Sequence, residues 1–258
     1  MRALSQSNFL KIIEGKDYDF LINGFAFSLK ESVHLSNGQF HSPHIYHFKN
    51  CRFPELVVSE SDISSHWIFE NCQFNEVAIE SSRVANIEFE NCVISDLVYK
   101  FNPDAGALRI HACKIDHLEY LSNSKFHSLH IGCNNLLDKV NILNNGIDNT
   151  STSEFYLCPE KFNAIRVERL TASKMEIGTF GEYSNLFLNE IHADHLLLRN
   201  CHSKNSKVVF KKIKPKSESG GLLQLLDSTI GASVFEDDFF KSFFSVEYKN
   251  STIDNYAL

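Results

Sequence analysis

From Phe48 onward a large apolar residue returns every fifth position: Phe48, Phe53, Val58, Ile63, then after six residues Phe69, and again by fives Phe74, Ile79, Val84, Phe89, Ile94 and Tyr99. Two positions before each stands a second residue, mostly apolar or small, from Tyr46, Cys51, Leu56 and Ser61 through to Cys92 and Leu97. The positions between are mainly polar or charged. An amphipathic helix needs a period of ~3.6 and a half-buried strand a period of ~2, so a period of five fits neither. It fits a chain that points two alternate residues inward, turns a corner and repeats. Four such sides close a coil of about twenty residues, the size of a small solenoid repeat. That spacing explains why "FKNC" at 48–51 returns as "FENC" at 69–72 and 89–92.

The pattern therefore predicts parallel strands stacked coil upon coil. Cys51, Cys72 and Cys92 form one column and Phe48, Phe69 and Phe89 another, at the ~4.8 Å spacing of hydrogen-bonded strands. The rhythm extends through Ile110, Ile115, Tyr120, Phe126 and Ile131, then weakens. It returns in "VERLTA" (167–172), "LNEIHA" (188–193), "FKKIKP" (210–215), "LLDSTI" (225–230) and "YKNSTI" (248–253). The expected architecture is one all-β solenoid domain over residues 1–258, of about ten coils, with the coils in 18–232 and loops near 144–153 and 214–221. A cap helix is expected over 1–17, with Ser5 or Ser7 as N-cap and Gly15 as its stop. A second helix is expected after Ser233, whose capping-box partner is Glu236, with a last strand completing 233–258.

The five-residue stepping resembles the pentapeptide-repeat family, whose motif is a small residue, Asp or Asn, then Leu or Phe, then two free positions. That resemblance implies a right-handed, square-sectioned parallel β-helix. The departure is at the position before the large residue, which reads Arg52, Val57, Asp62, Ile68, Gln73, Ala78, Arg83, Glu88, Val93 and Val98. Some members of that family imitate duplex DNA and occupy enzymes such as type II topoisomerases, which would make the acidic 51–120 stretch a contact face.

Composition adds little to the fold and something to the chemistry. Twenty-two Phe against a single Trp mean that the interior repeatedly takes up large flat side chains. Seven Cys without CxxC pairs point to reduced thiols and a cytoplasmic setting. The N-terminus lacks an apolar core of signal-peptide length, and no run reaches the length of a membrane helix, so no membrane contact is expected. The net charge of −7 is uneven: residues 51–120 hold twelve acids and five bases, while 199–216 hold seven bases and no acid.

No nucleotide-binding loop, HExxH or GxSxG motif occurs, so no catalytic residue, metal ligand or cofactor is assigned. The stacked cysteines read as packing, because a solenoid column points its side chains in parallel where a metal needs converging ligands. Two surfaces remain as binding candidates. One is the corner column Glu55, Glu76, Asp96 and His117, suited to a cation or a basic partner; its bland reading is a row of solvated corners. The other is the aromatic face of Phe235, Phe239, Phe240 and Phe243, which either packs on the last coils or meets a partner or second copy. The expectation is a non-enzymatic, rigid protein-interaction surface or assembly subunit that meets another protein or itself, binds no nucleic acid directly, and in one version acts as an acidic DNA mimic. The alternative is a β-helix enzyme or binding protein acting on carbohydrate, marked by a cleft across the coils lined with two or more acids.

Overall fold

A computed structural model of the chain describes residues 2–4, 7, 9, 20–23, 25–27, 32–40, 45–102, 105–122, 126–132, 135–144, 154–178, 185–202, 207–215, 220–231 and 242–254. These residues form a parallel β-solenoid with almost no helix. All eleven large positions from Phe48 to Tyr99 are buried, and so are the eleven residues two before them. The buried pairs Cys51 and Phe53, Leu56 and Val58, Ser61 and Ile63, and Trp67 and Phe69 are the four inward sides of one coil. This is why the sequence counts by five.

Register confirms the stacking residue by residue. One column runs Phe48, Phe69, Phe89, Ile110, Ile131, Leu157, Ile177, Leu198 and Leu225, eight steps and so about eight regular turns. A further rung lies at each end, Ile22 beside Phe48 and Tyr248 beside Leu225, and the regular turns are slightly fewer than the ten coils expected. Most steps take 20 or 21 residues; Ile131 to Leu157 and Leu198 to Leu225 take 26 and 27, absorbing extra chain within a coil. Those insertions blur the rhythm beyond residue 131.

The Phe surplus is spent on columns of rings. Phe9, Phe48, Phe69 and Phe89 stack at centroid separations of 5.4, 4.9 and 5.3 Å, Phe53 on Phe74 at 4.8 Å, and Tyr99 on Tyr120 at 5.2 Å. Such pairs add ~0.5–1.5 kcal/mol each beyond the burial of their area. Most of the expected cap helix lies outside the described residues. Of that segment, Arg2–Leu4 forms a strand paired with Phe25–Phe27, while Ser7 and Phe9 are helical. Phe9 is fully buried and presents its ring edge-on to Phe53 and Trp67, which closes this end of the core.

Two corners of each coil between Asn50 and Phe101 adopt left-handed backbone. Asn50, Asn71 and Asn91 have φ of 57°, 54° and 51°; Glu60, Ser81 and Phe101 have φ of 48°, 50° and 52° at the other. Asn tolerates this conformation because its side chain bonds locally, whereas other L residues lose roughly 1–2 kcal/mol. At a third corner only glycine fits: a Cβ on Gly106 would fall on the carbonyl of Ala85 in the coil before.

The residue after each left-handed corner points inward, and its own N–H faces the next coil. Where the equivalent residue of that coil is Cys, Ser or Asn, its side chain receives it. The Cys72 N–H reaches Cys92 Sγ at 3.4 Å and the Cys92 N–H reaches Cys113 Sγ at 3.3 Å. On the other corner the Ser61 N–H donates to Ser82 Oγ at 3.1 Å and the Ser82 N–H to Asn102 Oδ1 at 2.8 Å. The cysteine column expected to act as packing is thus also a hydrogen-bond ladder, interchangeable along the solenoid with Ser and Asn. It bears on thiol chemistry. The hydrogen bond to Cys113, with burial, outweighs the pull of Cys72 and pushes the Cys92 thiol up to about 12. At Cys72 the Cys51 thiol pulls down, but Cys92 and burial prevail and the value again rises to about 12.

Candidate functional site

Between Lys114 and Lys214 the strands Lys114–Ser122, Leu136–Asn144, Lys161–Glu168, Asn185–Arg199 and Lys207–Lys214 lie in sequence on one face. Two outward columns flank a bend there. The first runs His117, Lys139, Ala164 and Asn185; the second runs Asn141, Arg166, Phe187 and Val209. The residues between the columns, Val140, Ile165 and Leu186, turn into the core. Ala164 leaves the first column without a side chain of any reach, between Lys139 and Asn185. The result is a groove of about 520 Å³. From His117 to Asn185 it crosses three rung spacings, ~14 Å.

The groove's chemistry contrasts with that of the whole chain. Its lining contains His117, Lys139 and Arg166 and no carboxylate, in a protein of net charge −7. Arg166 lies over the Phe187 ring, 5.1 Å from its centroid, and its Nη2 donates to Glu168 Oε1 at 2.8 Å. That hydrogen bond to Glu168 raises the Arg166 pKa above its ordinary value. The Asn185 side chain donates to the Asn163 carbonyl at 3.1 Å. Lys139 makes no ion pair among the described residues. The floor is apolar, supplied by Ala164, Phe187, Val209 and the edges of the core residues.

The expected acidic column occupies the same line further toward the N-terminus. Glu55, Glu76, Asp96 and His117 are successive register neighbours, and Lys139 follows them, so the column changes sign along the solenoid. The Ser32 hydroxyl donates to Glu55, and His117 Nδ1 lies 3.3 Å from Asp96 Oδ1. Glu76 makes no ion pair among the described residues. Among those residues no cluster of three or more His, Cys, Asp or Glu has the arrangement of a metal site. Of the aromatic face, Phe235, Phe239 and Phe240 lie outside the described residues. Phe243 is buried in the core, while its neighbour Phe244 is 87% exposed.

A second concavity of about 380 Å³ lies across three left-handed corners, lined by Asn37–Gln39, Glu60–Asp62, Ser81 and Arg83. It contains two acids, but Glu60 is exposed and Asp62 Oδ2 is bound by Arg83 Nη1 at 3.1 Å. Neither sits in the apolar surroundings that make a carboxyl group a general acid. Elsewhere in 51–120 three acids meet bases of neighbouring coils. Glu70 lies between Lys49 and His47, whose hydrogen bonds and charges, Lys49 foremost, lower its pKa; Glu88 meets Arg109 and His66; Glu119 meets Lys100 at 2.8 Å.

The groove was not legible in the sequence. Its residues are common types with no motif, and the column that assembles them crosses the irregular coil after residue 144. The one available signal was an Ala and a Phe at outward positions, 164 and 187, where the rhythm calls for polar residues. No protein family, no curated protein and no solved structure matches this chain. No helix among the described residues is long and apolar enough to cross a membrane.

Proposed function

We propose that this protein is a non-enzymatic β-solenoid serving as a rigid surface for another protein. The observation that carries this reading is the groove itself: apolar below, cationic at the rim, and fixed on strands whose corners are bonded from coil to coil. A partner meets side chains already held in place, so little ordering entropy is lost on binding. The ion pairs of Glu70, Glu88 and Glu119, which interrupt the acids of 51–120, favour this reading over DNA mimicry, which needs a run of uncompensated acids. The exposed or ion-paired acids of the second concavity favour it over glycoside hydrolysis. We also place the chain near the pentapeptide repeats, on the strength of its five-residue stepping, and in the cytoplasm, on the strength of six described cysteines that are all free.

A photo-crosslinking residue introduced at Val209, in the groove, tests the proposal in the native host. It should capture a protein of defined mass, and the same residue at Asn71, on a distant corner, should not. Capture at neither site, or equal capture at both, refutes it.

A further inference from the structure

Resting on that reading, we infer that the groove between the His117–Asn185 and Asn141–Val209 columns binds an extended, acidic and apolar peptide segment of the partner. Three features single out this chemistry. The rim is cationic through Lys139 and Arg166, and Lys139 has no acid of its own among the described residues. Charge-assisted hydrogen bonds from ammonium and guanidinium to a carboxylate are the strong ones, and Arg offers a two-pronged donor for it. The floor is apolar, so the segment must also carry aliphatic side chains. Finally, the ~14 Å length suits an extended segment of about four residues, which spans about the same distance.

A polyanionic glycan fits this surface less well. Sugar rings need an open aromatic face and a set of planar hydrogen-bonding groups. Here the Phe187 face is covered by Arg166, and the neutral polar side chains are confined to Asn141 and Asn185. An aliphatic side chain needs only the concavity that Ala164 leaves open.

The test uses fluorescence anisotropy on the full chain with two labelled peptides, one alternating Asp with Leu and one with Asn in place of every Asp. A labelled galacturonate tetramer is the third arm. The Asp peptide should bind roughly tenfold or more tighter than the Asn peptide, and more weakly as salt rises. Ala164→Trp fills the concavity and Lys139→Glu inverts the rim; each should weaken the Asp peptide about tenfold. Arg52→Glu makes the same charge change on another column and should move binding less than about twofold. Circular dichroism and melting confirm that each variant is folded.

Equal binding of the two peptides, unaltered binding by Ala164→Trp, or no binding of the Asp peptide at millimolar concentration overturns the inference. Tighter binding of the uronate, lost in Ala164→Trp, also overturns it and assigns the groove to a glycan. Capture at Val209 with failed peptide arms would leave the interaction surface standing and remove only this ligand. Peptide binding without capture would do the reverse.

Discussion

Asn135 sits where the corner ladder passes from thiol to amide, and it makes more bonds than any thiol in the column can. Its Oδ1 accepts the Cys113 N–H at 2.7 Å; its Nδ2 donates to the carbonyls of Gly132 at 2.7 Å and Ile110 at 3.0 Å. The residue is fully buried, so water cannot replace these partners. Replacing it by Ala orphans the Cys113 N–H, at a cost of ~1–3 kcal/mol. The Ile110 carbonyl still accepts the Gly132 N–H at 2.9 Å and is not orphaned. The bond to the Gly132 carbonyl adds ~0.5–1.5 kcal/mol. The total is about 2–4 kcal/mol, a fall in Tm of roughly 5–15 °C for a chain of this size. Asn135→Ser should recover most of the loss, because Ser82 and Ser228 already fill the same role, each accepting an N–H of the coil before at 3.1 Å. Thermal melting followed by circular dichroism gives the ranking Asn, then Ser, then Ala. Hydrogen exchange at the Cys113 amide reports the orphaned donor directly, which matters in a solenoid whose coils can open separately. If the Ser and Ala variants melt together, or if the Cys113 amide is equally protected in both, the ladder carries no stability and the reasoning fails.

The same logic separates two readings of Cys92. If it is only a small hydrophobe, Cys92→Val should be milder than Cys92→Ser; if it is a rung, Ser should cost less than about 1 kcal/mol and Val about 2–3, a sign that urea melts would settle. Alkaline pH should also unfold the chain. Cys72 and Cys92 stay protonated in the fold to about 12 against an ordinary 9.0, and burial raises Tyr99 and Tyr120 as well. Stability present below pH 9 is therefore lost as the pH climbs toward 12, because only the unfolded chain can release these protons. Melting temperatures from pH 8 to 11 should fall steadily, with buried tyrosine ionising only on unfolding; a flat profile contradicts the assignment.

Architecture was readable because the eleven large positions from Phe48 to Tyr99 and the residues two before them are all buried, with one six-residue step in the rhythm. The role of the cysteines was not, since a thiol in a sequence looks apolar. Its meaning appears only when Cys92, Ser61, Asn102, Asn135 and Ser228 are seen to hold equivalent places, and their shared property is to accept one hydrogen bond while donating another. The groove was hidden for a different reason. It depends on register between Lys139, Ala164 and Asn185, and the step from Lys139 to Ala164 takes 25 residues, one side more than a regular coil, so counting four sides to the coil misplaces it.

The corner bonds from a backbone N–H to a side chain run in one sense. Gly38 gives to Ser61, Ser61 to Ser82, Ser82 to Asn102, Cys72 to Cys92, Cys92 to Cys113, Cys201 to Ser228 and Ser228 to Ser251, always from an earlier turn to a later one. A turn leaving the ribosome is therefore unfinished until its successor arrives. Trimming from the C-terminal side strands these corner donors at the cut, whereas trimming from the N-terminal side strands the N–H one residue further on, as Gln73 would lose the Cys51 carbonyl, so the two truncation series should expose different donors.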